Sequence, residues 1–239
     1  MSPSAGSRAR DRTRRRRASA GRARPISPLS FAERPADGQP AGLVVLHHGR
    51  GTTEQDLLPL ADVLDPDRRL LFVAPRAPLR LPGSPGYHWY VVPSVGHPDP
   101  DTFDAAYRAL AGLHDELWVR TGLGPGQTVL GGFSMGSAMS YALGLGRDRP
   151  PPAGILACSG FIPTVAGWSA DFDGRSGLRA FVAHGRRDPV ISVDFAHRAV
   201  EQLGAAGVDV VYHESGVAHQ IAPDALVAAG DWLAATLGP

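Results

Sequence analysis

With 239 residues, 43% of them hydrophobic, the chain is long enough to bury one sizeable α/β core, short for two, and too apolar to be disordered throughout. No run approaches the roughly 18–20 continuous apolar residues of a membrane-spanning helix, and the single cysteine, Cys158, excludes an internal disulfide and any multi-cysteine metal centre. The net charge of +1 hides an asymmetry: there is no lysine, and residues 8–24 hold nine arginines and one acid, so this stretch carries +8 and the remainder −7.

Residues 1–25 are polar, Arg-rich and nearly free of large apolar side chains, so they are expected to form a disordered tail, with a single α/β domain over residues 26–239. Arg14 to Arg17 are not followed by the apolar stretch that a twin-arginine export signal requires. One reading of the arginines is binding to nucleic acid or an anionic surface, the other an unselected extension or a start codon placed too early; the tail lacks any aromatic that could stack on bases, which favours the second, so no nucleic-acid partner is expected. The lone thiol suits a reducing cytoplasm, which is the expected location.

After Pro25 the pattern alternates strand and helix. Residues 29–33 read as a short edge strand. Residues 43–46 form a continuous β-friendly apolar run ending at His48-Gly49, the form of a strand buried on both faces. Residues 54–63 are amphipathic and read as a helix with Thr53 as its N-cap. Residues 70–73 are a second buried strand. Residues 75–100 hold seven prolines with Gly83, Gly86 and Gly96, and are expected to be a long irregular loop of functional use. Further helices are expected over 103–119, 135–145, 193–203 and 223–237, and further strands over 128–130, 155–157, 180–183 and 208–212. Strands alternating with helices imply a mostly parallel sheet covered on both faces, with its ligand site at the strands' carboxyl ends.

Gly132-Phe133-Ser134-Met135-Gly136 has the G-x-S-x-G pattern of a nucleophile elbow, and it follows a predicted strand and opens a predicted helix, the placement that pattern requires. A serine hydroxyl is a poor nucleophile unless a base takes its proton and a third group orients the base. In such a fold an acid and then a histidine follow the serine, each just after a later strand. Asp188 and His219 occupy those positions. Asp194 and Asp173 are rival acids, and Asp188 has the alternative task of capping the helix near Ser192. His213 is expected still on its strand and facing away, and His184 precedes the acid loop. The oxyanion of a tetrahedral intermediate needs backbone N–H donors, expected here from Met135 and from Arg50 in the glycine-flanked loop His48-Gly49-Arg50-Gly51, with the Arg50 side chain toward solvent.

Several segments in order carry a closer resemblance: Leu46-His47-His48-Gly49-Arg50-Gly51, Glu54-Gln55-Asp56-Leu57-Leu58-Pro59-Leu60-Ala61, Phe72-Val73-Ala74-Pro75-Arg76-Ala77-Pro78, the Ser134 elbow, Ser159-Gly160, and His184-Gly185 with Asp188-Pro189. Over roughly residues 28–237 the chain resembles the phospholipase/carboxylesterase family of α/β-hydrolases, which includes carboxylesterases, lysophospholipases and acyl-protein thioesterases. The resemblance implies an α/β-hydrolase fold without a large cap domain, a small-molecule ester substrate, no metal and no cofactor. It implies a triad of Ser134, Asp188 and His219, with the Arg50 and Met135 N–H groups as oxyanion hole.

Two departures stand out: Met135 occupies a position where the family usually has Gln, and His47-His48 replaces a single histidine. Tyr87-His88-Trp89-Tyr90 resembles the family's aromatic segment that lines the acyl pocket, so Trp89 is an expected lining residue, with Phe161 and Ile162 as weaker candidates; the alternative for Trp89 is to pin the loop onto the core. Cys158 is expected to pack in the core. A dienelactone-hydrolase-like enzyme is disfavoured because that group carries Cys at the nucleophile. A non-catalytic binding protein on this scaffold is the reading from another class. Acyl length, ester against thioester preference and oligomeric state are not set by these motifs.

Deleting residues 1–25 is expected to change neither Tm nor kcat/KM beyond error, because the segment is nearly free of the large apolar side chains needed to join a core. Thermal melts and ester kinetics of the truncated chain check this, and a drop of several degrees would show that the segment packs on the domain.

Overall fold

The structure, a computed structural model, describes Met1 and residues 29–238, so the Arg-rich segment, Met1 apart, lies outside the described residues. In chain order the strands are β1 (Phe31–Arg34), β2 (Gly42–His47), β3 (Leu70–Pro75), β4 (Leu79–Arg80), β5 (Tyr87–His88), β6 (Thr128–Phe133), β7 (Gly154–Cys158), β8 (Arg179–Gly185) and β9 (Asp209–Ser215). The helices are α1 (Ala61–Leu64), α2 (Pro100–Thr121), α3 (Met135–Leu145), α4 (Asp194–Ala205) and α5 (Pro223–Leu237).

Seven strands form one sheet in the order β1-β3-β2-β6-β7-β8-β9. Only β1 runs antiparallel, against β3; the other pairings are parallel. The buried strands β2, β3, β6, β7 and β8 are apolar on both faces because helices cover both. Along β2 the side chains alternate: Leu43 and Val45 pack toward Leu110, Met139 and Leu143 of α2 and α3, whereas Val44 and Leu46 pack toward Leu64, Ala229 and Leu233 of α1 and α5. Toward the β9 edge, Ile155, Ala180 and Val182 meet Tyr141 of α3 and Ala199 and Leu203 of α4. Each fully buried Leu, Val or Phe contributes about 1.5–3 kcal/mol, so this two-sided core holds the sheet. Cys158 is buried in it, and burial pushes its thiol up to about 12.

Five expectations need correction. The helix expected over 54–63 is only a 3₁₀ turn, Leu58–Leu60, running into the single turn α1. A helix begun at Glu54 would carry Pro59 in its interior, without an N–H and against a preceding carbonyl. Glu54 is instead drawn inward to pair with Arg76, its Oε2 accepting from Arg76 Nε at 2.6 Å. Thr53 caps no helix; its hydroxyl accepts the Gln55 N–H at 3.2 Å in a local turn. The loop expected over 75–100 contains the small antiparallel ribbon β4–β5 and stops one residue early, because Asp99 caps α2 by accepting the Thr102 N–H at 3.0 Å. The edge strand lies at Phe31–Arg34 rather than 29–33, and β9 continues to Ser215, with His213 on the strand and bonded to Asp224 away from Ser134.

Five histidines, His47, His48, His88, His114 and His184, are buried, and burial is the first cause lowering the pKa of each. His47 and His114 stack at 5.7 Å between β2 and α2. His47 is held well below 6.5 by burial and by its neighbours His114 and His48; burial and then Arg149 push His114 down to about 3. Such a histidine binds fewer protons folded than unfolded, so stability is complete above about 6.5 and falls as pH drops from there toward the lowered value. The urea midpoint should therefore fall between pH 7.5 and pH 5. His114→Phe should remove up to about 2 kcal/mol of that loss, and equal losses in both proteins would show that His114 is not buried neutral.

Candidate active site

The loops that follow β2, β6, β8 and β9 converge at the carboxyl ends of the strands. Ser134 stands between β6 and α3 with φ +56° and ψ −118°, a backbone state that costs a non-glycine residue about 1–3 kcal/mol and turns the side chain outward from the bend. The turn fits only because Gly136 lies against β2: a Cβ there would sit 1.9 Å from the His47 carbonyl oxygen. Ser137 fastens the elbow to β7. Its hydroxyl accepts the Cys158 N–H at 3.0 Å, and its one proton is shared between the Gly132 carbonyl at 2.6 Å and the Cys158 carbonyl at 2.8 Å.

His219, in the loop after β9, reaches Ser134 Oγ with Nε2 at 3.0 Å and Asp188 Oδ2 with Nδ1 at 2.6 Å. Phe133 packs on its ring with centroids 4.8 Å apart. Asp188, in the loop after β8, has a fully buried side chain. Its Oδ1 accepts the Val190 and Ile191 N–H groups at 2.8 and 2.9 Å. Burial opposes its charge, but the hydrogen bonds from His219, Ile191 and Val190 outweigh that and hold the carboxyl below its ordinary value. His184 supports the same loop by donating from Nε2 to the Ile191 carbonyl at 2.9 Å. With Asp188 ionised, the tautomer follows: Nδ1–H donates to Asp188, and Nε2 is left to accept from Ser134. The rival acids lie elsewhere: Asp194 accepts from the Ser192 hydroxyl at the start of α4, and Asp173 sits on the loop after Asp171.

The loop after β2 is pinned from three sides. His48 Nε2 accepts the Ala77 N–H at 3.0 Å, which leaves Nδ1–H to donate to the Gly49 carbonyl at 2.7 Å. Trp89 Nε1 donates to the His48 carbonyl at 2.8 Å. The Gly51 N–H donates to the Tyr87 carbonyl at 2.8 Å, and the Tyr87 N–H returns a bond to Thr52 at 2.9 Å. Gly86 permits this approach, since a Cβ on it would lie 1.9 Å from the Gly51 carbonyl oxygen. Neither the Arg50 nor the Met135 backbone N–H has an acceptor among the described residues, and both residues border the cavity that contains Ser134 and His219.

That cavity measures about 240 Å³. Its wall is mostly apolar, from Tyr90, Val92, Val95, Met135, Phe161 and Ile191. Phe161, one of the expected lining residues, borders this cavity. Trp89 does not: it is wholly buried, its indole bonded to His48, and it pins the aromatic segment while its neighbour Tyr90 faces the cavity. Ile162 borders a separate cavity with Thr164 and Phe195. Val92, Val95 and Ile191 were not expected from the sequence, and Tyr90 was named there only as part of the aromatic segment; the available signal was Val190-Ile191 directly after Asp188-Pro189 and the valines in a Pro/Gly-rich loop. The Met135 thioether receives the Trp89 N–H at 3.3 Å, so the residue that departs from the family's Gln still joins the elbow to the aromatic segment. Among the described residues no group of three or more metal-ligating side chains assembles, and no helix is long and apolar enough to cross a membrane.

A mostly parallel sheet with helices on both faces, no large cap, and a serine elbow at its strand ends defines the class as serine hydrolases with the α/β-hydrolase fold. The Phospholipase/Carboxylesterase family model matches residues 32–237, and the chain belongs to that family. It is 28% identical to lysophospholipase-like protein 1 of Mus musculus over 195 residues, 75% of this chain and 79% of that protein. It is 27% identical to acyl-protein thioesterase 1 of Gibberella zeae over 228 residues, 84% and 92% of the two chains. Among solved structures, esterase PE8 shares 31% identity at a TM-score of 0.72, covering 87% of this chain and 99% of that one. The Bacillus cereus carboxylesterase shares the fold at a TM-score of 0.77 and 20% identity, covering 88% and 95%.

Proposed function

We propose that this protein hydrolyses carboxylic esters, or thioesters, through an acyl-enzyme on Ser134. The observation that carries the reading is the unbroken line Ser134–His219–Asp188, with contacts of 3.0 and 2.6 Å, at the floor of an apolar cavity.

In this mechanism His219 Nε2 takes the hydroxyl proton as Ser134 Oγ attacks the carbonyl carbon. The carbonyl oxygen becomes an oxyanion held by the Arg50 and Met135 N–H groups, which the pinned loop and the elbow keep in place before reaction, so little reorganisation is needed. Asp188 holds the His219 tautomer and stabilises the imidazolium. Collapse of the intermediate expels the alcohol or thiol, which leaves with the proton from His219. Water, deprotonated by His219, then attacks the acyl carbon; the proton returns from His219 to Ser134 Oγ as the acyl C–O bond breaks, and the product leaves as the carboxylic acid, which ionises in solvent. No cofactor enters these steps. The proposed partner is a small-molecule ester, and the lone buried thiol suits action in a reducing cytoplasm. Residues 1–25 are proposed to stand apart from this chemistry, as a tail on a catalytic domain of residues 26–239.

Ser134→Ala is expected to abolish labelling by a fluorophosphonate and to lower kcat on p-nitrophenyl acetate about 10⁴-fold or more with the melting curve preserved. Mass spectrometry that found the adduct on another serine, or no adduct and no turnover in the wild type, would overturn the reading. Asp188→Asn should cost on the order of 10⁴-fold in kcat, because an amide favours the wrong imidazole tautomer, whereas Asp194→Asn should stay within a few-fold. Steady-state kinetics of both variants decide the acid, and the reverse ranking would reassign it to Asp194.

A further inference from the structure

Every other arginine in the described residues is engaged. Arg34, Arg68, Arg76, Arg108, Arg120, Arg147, Arg149, Arg179 and Arg186 pair with carboxylates. Arg69, Arg175 and Arg187 donate to carbonyls, and Arg80 and Arg198 lie over aromatic rings. Arg50 alone has no side-chain hydrogen bond, ion pair or aromatic partner among the described residues, yet it borders the cavity of Ser134 and His219. The setting sharpens the contrast: outside residues 8–24 the chain carries a net charge of −7, so carboxylates are in excess, and none of the described ones pairs with this cation.

Its position is fixed from below. The backbone of the Arg50 loop is held by His48, Trp89 and Tyr87, so the side chain springs from a rigid base beside the reacting serine. Among the described residues the other charged group at this centre is Asp188, whose side chain is fully buried and committed to His219 and the Val190 and Ile191 N–H groups. Among the described residues Arg50 is thus the one permanently charged side chain that borders the cavity, and low-dielectric walls concentrate the field of such a charge. The wall formed by the buried Met135, Phe161, Tyr90 and Ile191 is apolar, and an anion set against it would lose its hydration without a partner. The acyl group belongs against that wall, and the leaving group, with the exposed Arg50 near it, belongs at the mouth.

We infer that Arg50 makes this enzyme selective for esters whose leaving group carries an anion, a carboxylate or a phosphate monoester, with an uncharged acyl group in the apolar cavity. The inference rests on the serine-hydrolase reading of the same site. It assigns the guanidinium a task separate from the backbone N–H of the same residue, because a side-chain replacement leaves that N–H in place. The guanidinium acts on encounter and on ground-state pairing with the leaving group, so it is a specificity determinant expressed in kcat/KM.

Three aryl acetates that release the same acyl group test it: uncharged 4-acetoxybenzamide, 4-acetoxybenzoate, and 4-acetoxyphenyl phosphate. The readout is the ratio of kcat/KM for each anionic ester to that for the amide, compared between proteins, so that differences in leaving-group basicity cancel. Arg50→Gln should lower the ratio about fivefold, the scale of a solvent-accessible ion pair, and Arg50→Lys should restore most of it. Arg50→Glu should lower it further, and the wild-type ratio should fall as salt is raised from 10 to 500 mM. A fall confined to the benzoate assigns the site to carboxylates, and one confined to the phosphate assigns it to phosphate monoesters. If Arg50→Gln changes all three esters by one factor, the side chain only supports its loop and the inference is wrong, while esterase activity stands. Absence of turnover on all three esters together with no fluorophosphonate adduct on Ser134 would remove the hydrolase reading and this one with it.

Discussion

The backbone of Ser134 cannot relax without the active site coming apart. Its positive φ is a state that an L-residue holds only when the surroundings over-determine it. Those surroundings are β6 ending, α3 beginning immediately, and Gly136 flush against the His47 carbonyl of β2. The strain of about 1–3 kcal/mol is offset by the burial of every residue of α3 and by the Ser137 bonds to both neighbouring strands. The most confined helix in the domain thus serves as the anvil on which the reactive hydroxyl is set.

Around that point the remaining groups are positioned by hydrogen bonds that end on backbone, which spares them the entropy of flexible side-chain partners. Asp188 is gripped by two N–H groups of its own loop before it meets His219. The loop after β2 is held through a histidine ring that accepts from one loop and donates to another, and through an indole that donates to the same stretch. Preorganisation of this kind lets a polar site work in an apolar surrounding, because the donors and acceptors need not be assembled at the moment of reaction.

The same economy explains the buried histidines. His48 and His184 are neutral braces for the oxyanion-side loop and the acid loop, and a charged form of either would lose an acceptor or bring a charge into the core. His47 and His114 extend the pattern beneath the site as a stacked pair between β2 and α2. The domain therefore trades acid tolerance for rigidity under its catalytic loops, whereas its surface charges are largely paired in the open, where each pair adds little.

The sequence by itself determined the alternation of buried strands and helices, since continuous apolar runs such as Val44-Val45-Leu46 and Phe72-Val73-Ala74 can be satisfied only inside a sheet covered on both faces. It also determined the elbow, because small residues two positions either side of Ser134 express a local steric rule. Local signals failed where a distant partner outweighed them. The amphipathic pattern after Thr53 gave way to Pro59 and to the pull of Arg76 on Glu54 across 22 residues. Trp89 looked like a pocket aromatic, but its N–H found a carbonyl on the loop after β2, and the lining passed to Tyr90 and to valines with no distinguishing pattern. Which carboxylate meets His219 was likewise decided in three dimensions, by loops 31 residues apart that parallel pairing of β8 and β9 brings side by side. Chain order places groups on the same end of the sheet; only packing sets which of them come within a hydrogen bond of one another.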